Sequence, residues 1–185
     1  MTPVQREDGS FDMYGRGNLG VTTVSLPHAA LTSKGDKKHF FEILERRLDL
    51  CKEMGVLRYE KMKGVKAKSA PILWQHGAIA RLNPEDDVIK AIDERNFTVT
   101  IGYIGLHETV KYMTGKTLIE EEGRSLAIEI MQFMNAYKDK AKQETGLLFA
   151  LYGTPSESTA GYLSDKLKEQ FGEIEGITDK GYLIN

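Results

Sequence analysis

Three runs rich in β-branched and aromatic residues, each followed by a stretch with helical periodicity, constrain this chain most. They are VTTVSL (21–26), FTVTIGYI (97–104) and LLFALY (147–152). Their length and composition are those of strands, and Pro27 is expected to stop the first. After Asp36 a long helix is predicted, with Phe41, Leu44, Leu48 and Cys51 on one stripe. A second follows residue 117, with Leu126, Ile130, Met134, Tyr137 and Ala141 on its stripe and Gly146 as its stop. Thr117 and Glu120 are spaced as a capping box; Glu121 and Glu122 suit the positive end of the dipole, and Lys138, Lys140 and Lys142 the negative end. A third helix carries Leu163, Leu167 and Phe171. APILW (70–74) is expected as a short buried strand and DDVIKAID (86–93) as a short helix. Strands alternating with helices predict an α/β fold with a largely parallel sheet or barrel. In such folds ligands collect at the C-terminal ends of the strands.

Composition narrows the function classes. A chain of 185 residues is long enough for one sizeable domain, and no linker or repeat divides it. The formal net charge is −2, with Lys and Arg interspersed among Asp and Glu, so a nucleic-acid surface is not expected. No apolar run approaches the about 20 residues of a membrane span. The opening residues MTPVQREDGS are polar, so no secretory signal is expected and residues 1–13 are expected to be flexible. Cys51 is the single cysteine, which fits a reducing, cytoplasmic location. On an apolar stripe it reads as core packing.

LFALYGTPSESTAGYL (149–164) raises a chemical question, because hydroxyls crowd the point where a strand becomes a helix. Gly153 eases the turn, and Pro155 suits a first helical turn because its missing N–H would be unpaired there. The outward N–H groups of Ser156, Glu157, Ser158 and Thr159, with the hydroxyls of Thr154, Ser156, Ser158 and Thr159, form a candidate phosphate or carboxylate cradle. The alternative is a plain helix cap, and the Glu157 carboxylate is adverse to an anion unless it points away. No Walker-type Gly-Lys-Ser/Thr is present.

In YGRGNLGVTTVSLP (14–27) the glycines are expected to form a turn, with Asn18 as either a ligand-facing amide or a simple turn former. GRGNLG does not follow a predicted strand, so a dinucleotide fingerprint is not supported. In IGYIGLHETVKY (101–112), Gly102, Gly105 and Glu108 are candidates for a pocket rim, with Glu108 alternatively a first-turn carboxylate. His28, His39, His76 and His107 lack metal-ligand spacing, and no metal site is expected.

GRGNLGVTTVSLP, RYEKMKGVKAKSAPILWQHGAIARL, IGYIGLHETVKYMTG, LYGTPSES and GITDKGYLIN occur here in the order found in the anaerobic (class III) ribonucleotide reductases. The chain resembles that family from about Gly15 to Asn185. The resemblance implies a portion, about half, of a ten-stranded α/β barrel, with residues 1–185 as one partial catalytic domain. It implies reduction of ribonucleoside triphosphates to deoxynucleotides by glycyl and thiyl radical chemistry. By it Asn18 is the catalytic-site asparagine beside the substrate ribose, and Gly153 to Thr159 become the turn that binds the triphosphate.

The resemblance also marks what this stretch does not carry. The family's radical glycine, its zinc-binding cysteines and its thiyl cysteine have no counterparts here, and His28 stands where the family usually has arginine. No cofactor is therefore expected within these residues. The complete enzyme is implied to hold a glycyl radical and structural zinc. An activase with an iron–sulfur cluster and S-adenosylmethionine activates it, and formate is the reductant. Implied partners are a ribonucleoside triphosphate, the rest of the barrel, that activase and further copies of the chain. Alone, the chain is expected to be inactive. The alternatives are a degenerate nucleotide-binding module and a structural remnant that self-associates through uncovered edges.

Overall fold

The computed structural model describes residues 4–5, 8–12, 16–92, 97–155 and 157–185. Strands β1 (Val4–Gln5) and β2 (Phe11–Asp12) pair antiparallel, around a turn in which the Asp8 carboxylate accepts from the Ser10 N–H at 2.9 Å. Strand β3 runs Gly17–Ser25. From Gly17 on, the expected glycine turn is therefore strand, with Asn18 inside it; Gly15 lies outside the described residues. At the other end Leu26 leaves the strand and begins α1 (Leu26–Thr32), because Pro27 fits the first helical turn.

Helix α2 (Lys37–Met62) starts where the Asp36 carboxylate accepts from the His39 N–H at 2.7 Å. Its buried stripe begins at Phe40, not Phe41, and continues through Leu44, Leu48 and Cys51. APILW is not a strand: Pro71–Trp74 forms the short helix α3, with the Trp74 N–H bonded to the Ala70 carbonyl. Proline at the helix start supplies the backbone angle, while Ile72 and Leu73 stay exposed; only Trp74 is buried. Of DDVIKAID, Asp93 lies outside the described residues, and the rest holds one 3₁₀ turn, Val88–Lys90, capped by the Asp87 carboxylate accepting from the Ile89 N–H at 3.0 Å.

Strand β4 spans Phe97–Ile104 as predicted and is followed by α4 (Leu106–Thr114). The capping box forms only in part. The Glu120 carboxylate accepts from the Thr117 N–H and hydroxyl, but α5 (Glu121–Thr145) begins only after Glu120, whose carbonyl accepts from Arg124. The α5 stripe is buried throughout, and Gly146 stops the helix at φ 76°. Strand β5 (Leu148–Gly153) and α6 (Glu157–Phe171) complete the chain order.

The chain divides into two units. The first comprises Met1–Val21, Lys52–Thr100 and Lys140–Ala150; the second comprises Thr22–Cys51, Ile101–Asp139 and Leu151–Asn185. In the first, Ala67, Trp74, Val88, Ile92 and Phe97 form a core in which the Trp74 and Phe97 rings stack at 6.4 Å. In the second, Leu31, Ile104, Ala160, Leu167, Ile177 and Leu183 form another, with Leu163 and Phe171 against it. Strands β3, β4 and β5 form a sheet in that order, each beginning in the first unit and ending in the second, so the sheet is parallel. The fold is α/β with helical crossovers between parallel strands.

Candidate functional site at the strand ends

The C-terminal ends of β4 and β5 lie in the second unit, together with the end of β3. Gly153 closes β5, and a Cβ there would lie 3.3 Å from the Tyr103 hydroxyl. Thr154 then leaves the sheet under three restraints. Its N–H donates to the Tyr103 carbonyl at 2.9 Å, its hydroxyl meets the Thr23 hydroxyl at 3.0 Å, and its carbonyl accepts from the Asn185 side-chain amide at 3.1 Å. The turn is built by β3, β4 and residue 185 together. The Thr154 hydroxyl, expected to face a ligand, is engaged with Thr23.

Pro155 is exposed, and α6 starts at Glu157. Ser156 and the Glu157 side chain lie outside the described residues. Ser158 is exposed and Thr159 half-buried, both in the first turn of a 15-residue helix. A helix start is, in general, where backbone N–H groups can hold an anion.

Gly102, Gly105 and Glu108 reach the same neighbourhood from β4 and α4. Gly102 is buried in the strand. Gly105 precedes α4 at φ 80°, and a Cβ there would fall 2.4 Å from Pro27, so both conformation and space require glycine. The Glu108 side chain is fully buried: Oε2 accepts from the Ile184 N–H at 3.0 Å, while Oε1 has no partner among the described residues. Burial pushes its carboxyl up, against the opposing pull of the Ile184 N–H, Lys180 and Lys111. The His107 N–H donates to the Ile184 carbonyl at 3.2 Å, and burial with Lys180 and Lys111 pushes the His107 imidazole down. Residues 184–185 thus join the start of α4 to the Thr154 turn. A cavity of about 500 Å³ is lined by Gly153–Pro155, Ala160 and residues 182–185; Gly102, Gly105, Glu108, Ser158 and Thr159 are not part of its lining.

Asn18 belongs to the first unit. Its amide donates to the Thr100 hydroxyl at 2.8 Å and its carbonyl accepts from the Gly20 N–H at 2.7 Å. Gly20 sits at φ 126°, so Asn18 braces an irregular point of the strand, and its exposed carboxamide is held in one orientation. Thr23, Thr100, Tyr103 and Asn185 were not foreseen as partners. Threonines in both strands were a faint signal, but nothing local marks Asn185. Among the described residues no group of three or more His, Cys, Asp or Glu is arranged to hold a metal, and no helix is long and apolar enough to cross a membrane.

Comparison with known proteins adds a family to this geometry. The profile of the anaerobic ribonucleoside-triphosphate reductases matches residues 2–185. The Escherichia coli anaerobic ribonucleoside-triphosphate reductase is 38% identical over 184 residues, which are 98% of this chain and 26% of that protein. The enzyme of the same description from Enterobacteria phage T4 is 39% identical over 182 residues, 96% of this chain and 29% of that one. The chain therefore spans less than a third of the length of these relatives. The anaerobic ribonucleotide reductase of Thermotoga maritima, solved with citrate in its active site, superposes with a TM-score of 0.70 at 22% identity, over 99% of this chain and 32% of that one. The same enzyme in complex with dATP and CTP gives 0.70 at 22% identity, over 99% and 29%. These likenesses establish the fold as a portion of the reductase barrel.

Proposed function

The chain belongs to the anaerobic ribonucleoside-triphosphate reductase family, and from that premise we propose that it supplies the ribose and triphosphate contacts of a reductase that makes deoxynucleotides from ribonucleoside triphosphates. The observation that carries this reading is the Thr154 turn. Three restraints from β3, β4 and Asn185 hold it at the end of a parallel strand, beside a cavity lined by Gly153–Pro155 and, from α6, Ala160. In this reading backbone N–H groups at the start of α6 and the Ser158 hydroxyl bind phosphate oxygens. Asn18, held by Thr100 and Gly20, presents its carboxamide to the ribose.

Abstraction of a ribose hydrogen needs a radical, which acid–base groups do not replace. In this proposal the radical glycine, the thiyl cysteine and structural zinc lie outside these 185 residues, and the activase and formate act on the whole enzyme. The part assigned to this chain is binding and orientation, in a reducing cytoplasm.

Calorimetric titration of CTP and ATP into the 185-residue chain tests the reading. Saturable binding is expected, weakened about tenfold by Ser156→Ala/Ser158→Ala, a change of about 1.4 kcal/mol. No binding by a demonstrably folded chain overturns it and leaves these residues a structural role.

A further inference from the structure

Glu108 is a carboxyl with no exposed surface in the first turn of α4, and neither the fold nor the proposed phosphate contacts require an acid there. A buried carboxyl with an unsatisfied oxygen is costly, and an apolar residue of similar size would pack without that cost. Its hydrogen bond goes to the backbone of a segment that is otherwise largely at the surface: Ile184 and Asn185 are both exposed. Residue 184 is gripped at both polar groups, its N–H by the Glu108 carboxyl and its carbonyl by the His107 N–H. The next residue, Asn185, donates to the Thr154 carbonyl. Gly105 leaves room for this arrangement, since a Cβ there would lie 3.6 Å from Glu108 Oε2 as well as against Pro27.

We infer that Glu108 is a positioning residue for the anion-binding turn: it clamps residues 184–185 against the start of α4, and Asn185 in turn fixes the Thr154 carbonyl. The inference rests on the nucleotide-binding reading for its purpose, but the clamp is a physical claim that stands by itself. Oε2 is occupied by the Ile184 N–H, so the proton of the neutral acid resides on Oε1. Lys111 from α4 and Lys180 from the segment before Ile184 are the titratable groups that act on it; the same two lysines act on the neighbouring His107, while α1 presents the uncharged Pro27 nearby. With the carboxyl pushed up in the folded chain, the native state holds a proton that the unfolded state releases at a lower pH. The net contribution of this carboxyl to stability is fully present below the ordinary glutamate value of 4.5 and is lost as pH rises through the raised value, because burial of the ionised group outweighs the pull of the Ile184 N–H toward it.

Amide exchange at residue 184, read as a protection factor alongside CTP titration of the whole chain, tests this. In Glu108→Gln, whose carboxamide keeps the acceptor and mimics the neutral acid, protection and CTP affinity are expected to match the parent, and the pH dependence of protection to vanish. In Glu108→Ala, protection is expected to drop about tenfold or more and CTP affinity to fall with it. Unchanged protection in Glu108→Ala overturns the clamp. Lost protection with unchanged CTP affinity overturns its role at the turn. If Glu108→Ala does not fold, Ile184→Pro removes the donor from the other side at an exposed position, and undiminished CTP affinity there overturns the inference equally. A parent chain that binds no CTP overturns the functional reading instead, and the exchange data still decide the clamp.

Discussion

At the scale of single residues, the site depends on positions where the chain must be small or polar for reasons of space. Gly105 and Gly115 flank α4 at similar positive φ, 80° and 71°, yet they differ in what surrounds them. A Cβ at Gly105 would overlap the Pro27 ring, whereas at Gly115 nothing lies within 4 Å. Gly105→Ala is therefore expected to cost about 2–4 kcal/mol, combining strain with overpacking, and Gly115→Ala about 1 kcal/mol from the backbone conformation alone. Urea unfolding midpoints of the two variants measure the difference. Equal costs would show that the contact with Pro27 relaxes freely. The sequence offered Gly105 and Glu108 only as candidates for a pocket rim; the partner of Glu108 is 76 residues away in the chain, and no local pattern contains it.

At the scale of elements, the long helices follow their periodicity because burial rewards one face. Ile130 on the α5 stripe has no exposure, while Ile128 on the same helix is half exposed. Ile130→Ala is expected to cost about 2–5 kcal/mol and Ile128→Ala under about 0.5 kcal/mol, read from denaturant midpoints. Three helices meet at His28. From α2, Arg47 donates to Nδ1 at 2.8 Å, and on α6 Gln170 pairs with Nε2 at 3.1 Å while the Phe171 ring meets the imidazole edge-on at 5.4 Å. Accepting from Arg47 requires an unprotonated Nδ1, so the neutral ring donates from Nε2 to Gln170. Burial first and Arg47 second push this histidine below its ordinary 6.5. The unfolded chain thus binds the extra proton first, and this contribution to stability is present above pH 6.5 and lost as pH falls through the lowered value. His28→Asn is expected to remove that component from the pH profile of unfolding. An unaltered profile would assign the slope to other groups.

At the scale of the whole molecule, α2, α5 and all three strands of the parallel sheet pass from one unit into the other, so neither unit owns a complete set of elements. Covalent continuity through the middle of strands and helices is expected to make unfolding a single transition. Trp74, the only tryptophan, reports the first unit through its stacking on Phe97, while circular dichroism reports helices throughout. Coincident midpoints are the expected result, and separated ones would show units that melt independently. The residues alone determined the strand and helix alternation, the α5 stripe with its glycine stop, the strand-to-helix turn after β5 and the family resemblance, because these are written in neighbouring residues and their spacing. Tertiary structure alone decided that APILW is helix, that Asn18 braces a strand, that Glu108 is buried, and that Asn185 reaches Thr154 across 31 residues. The physical reason is common to all four. A short apolar run, an amide or a carboxyl has no strong local preference, so its state is set by the groups that folding brings beside it.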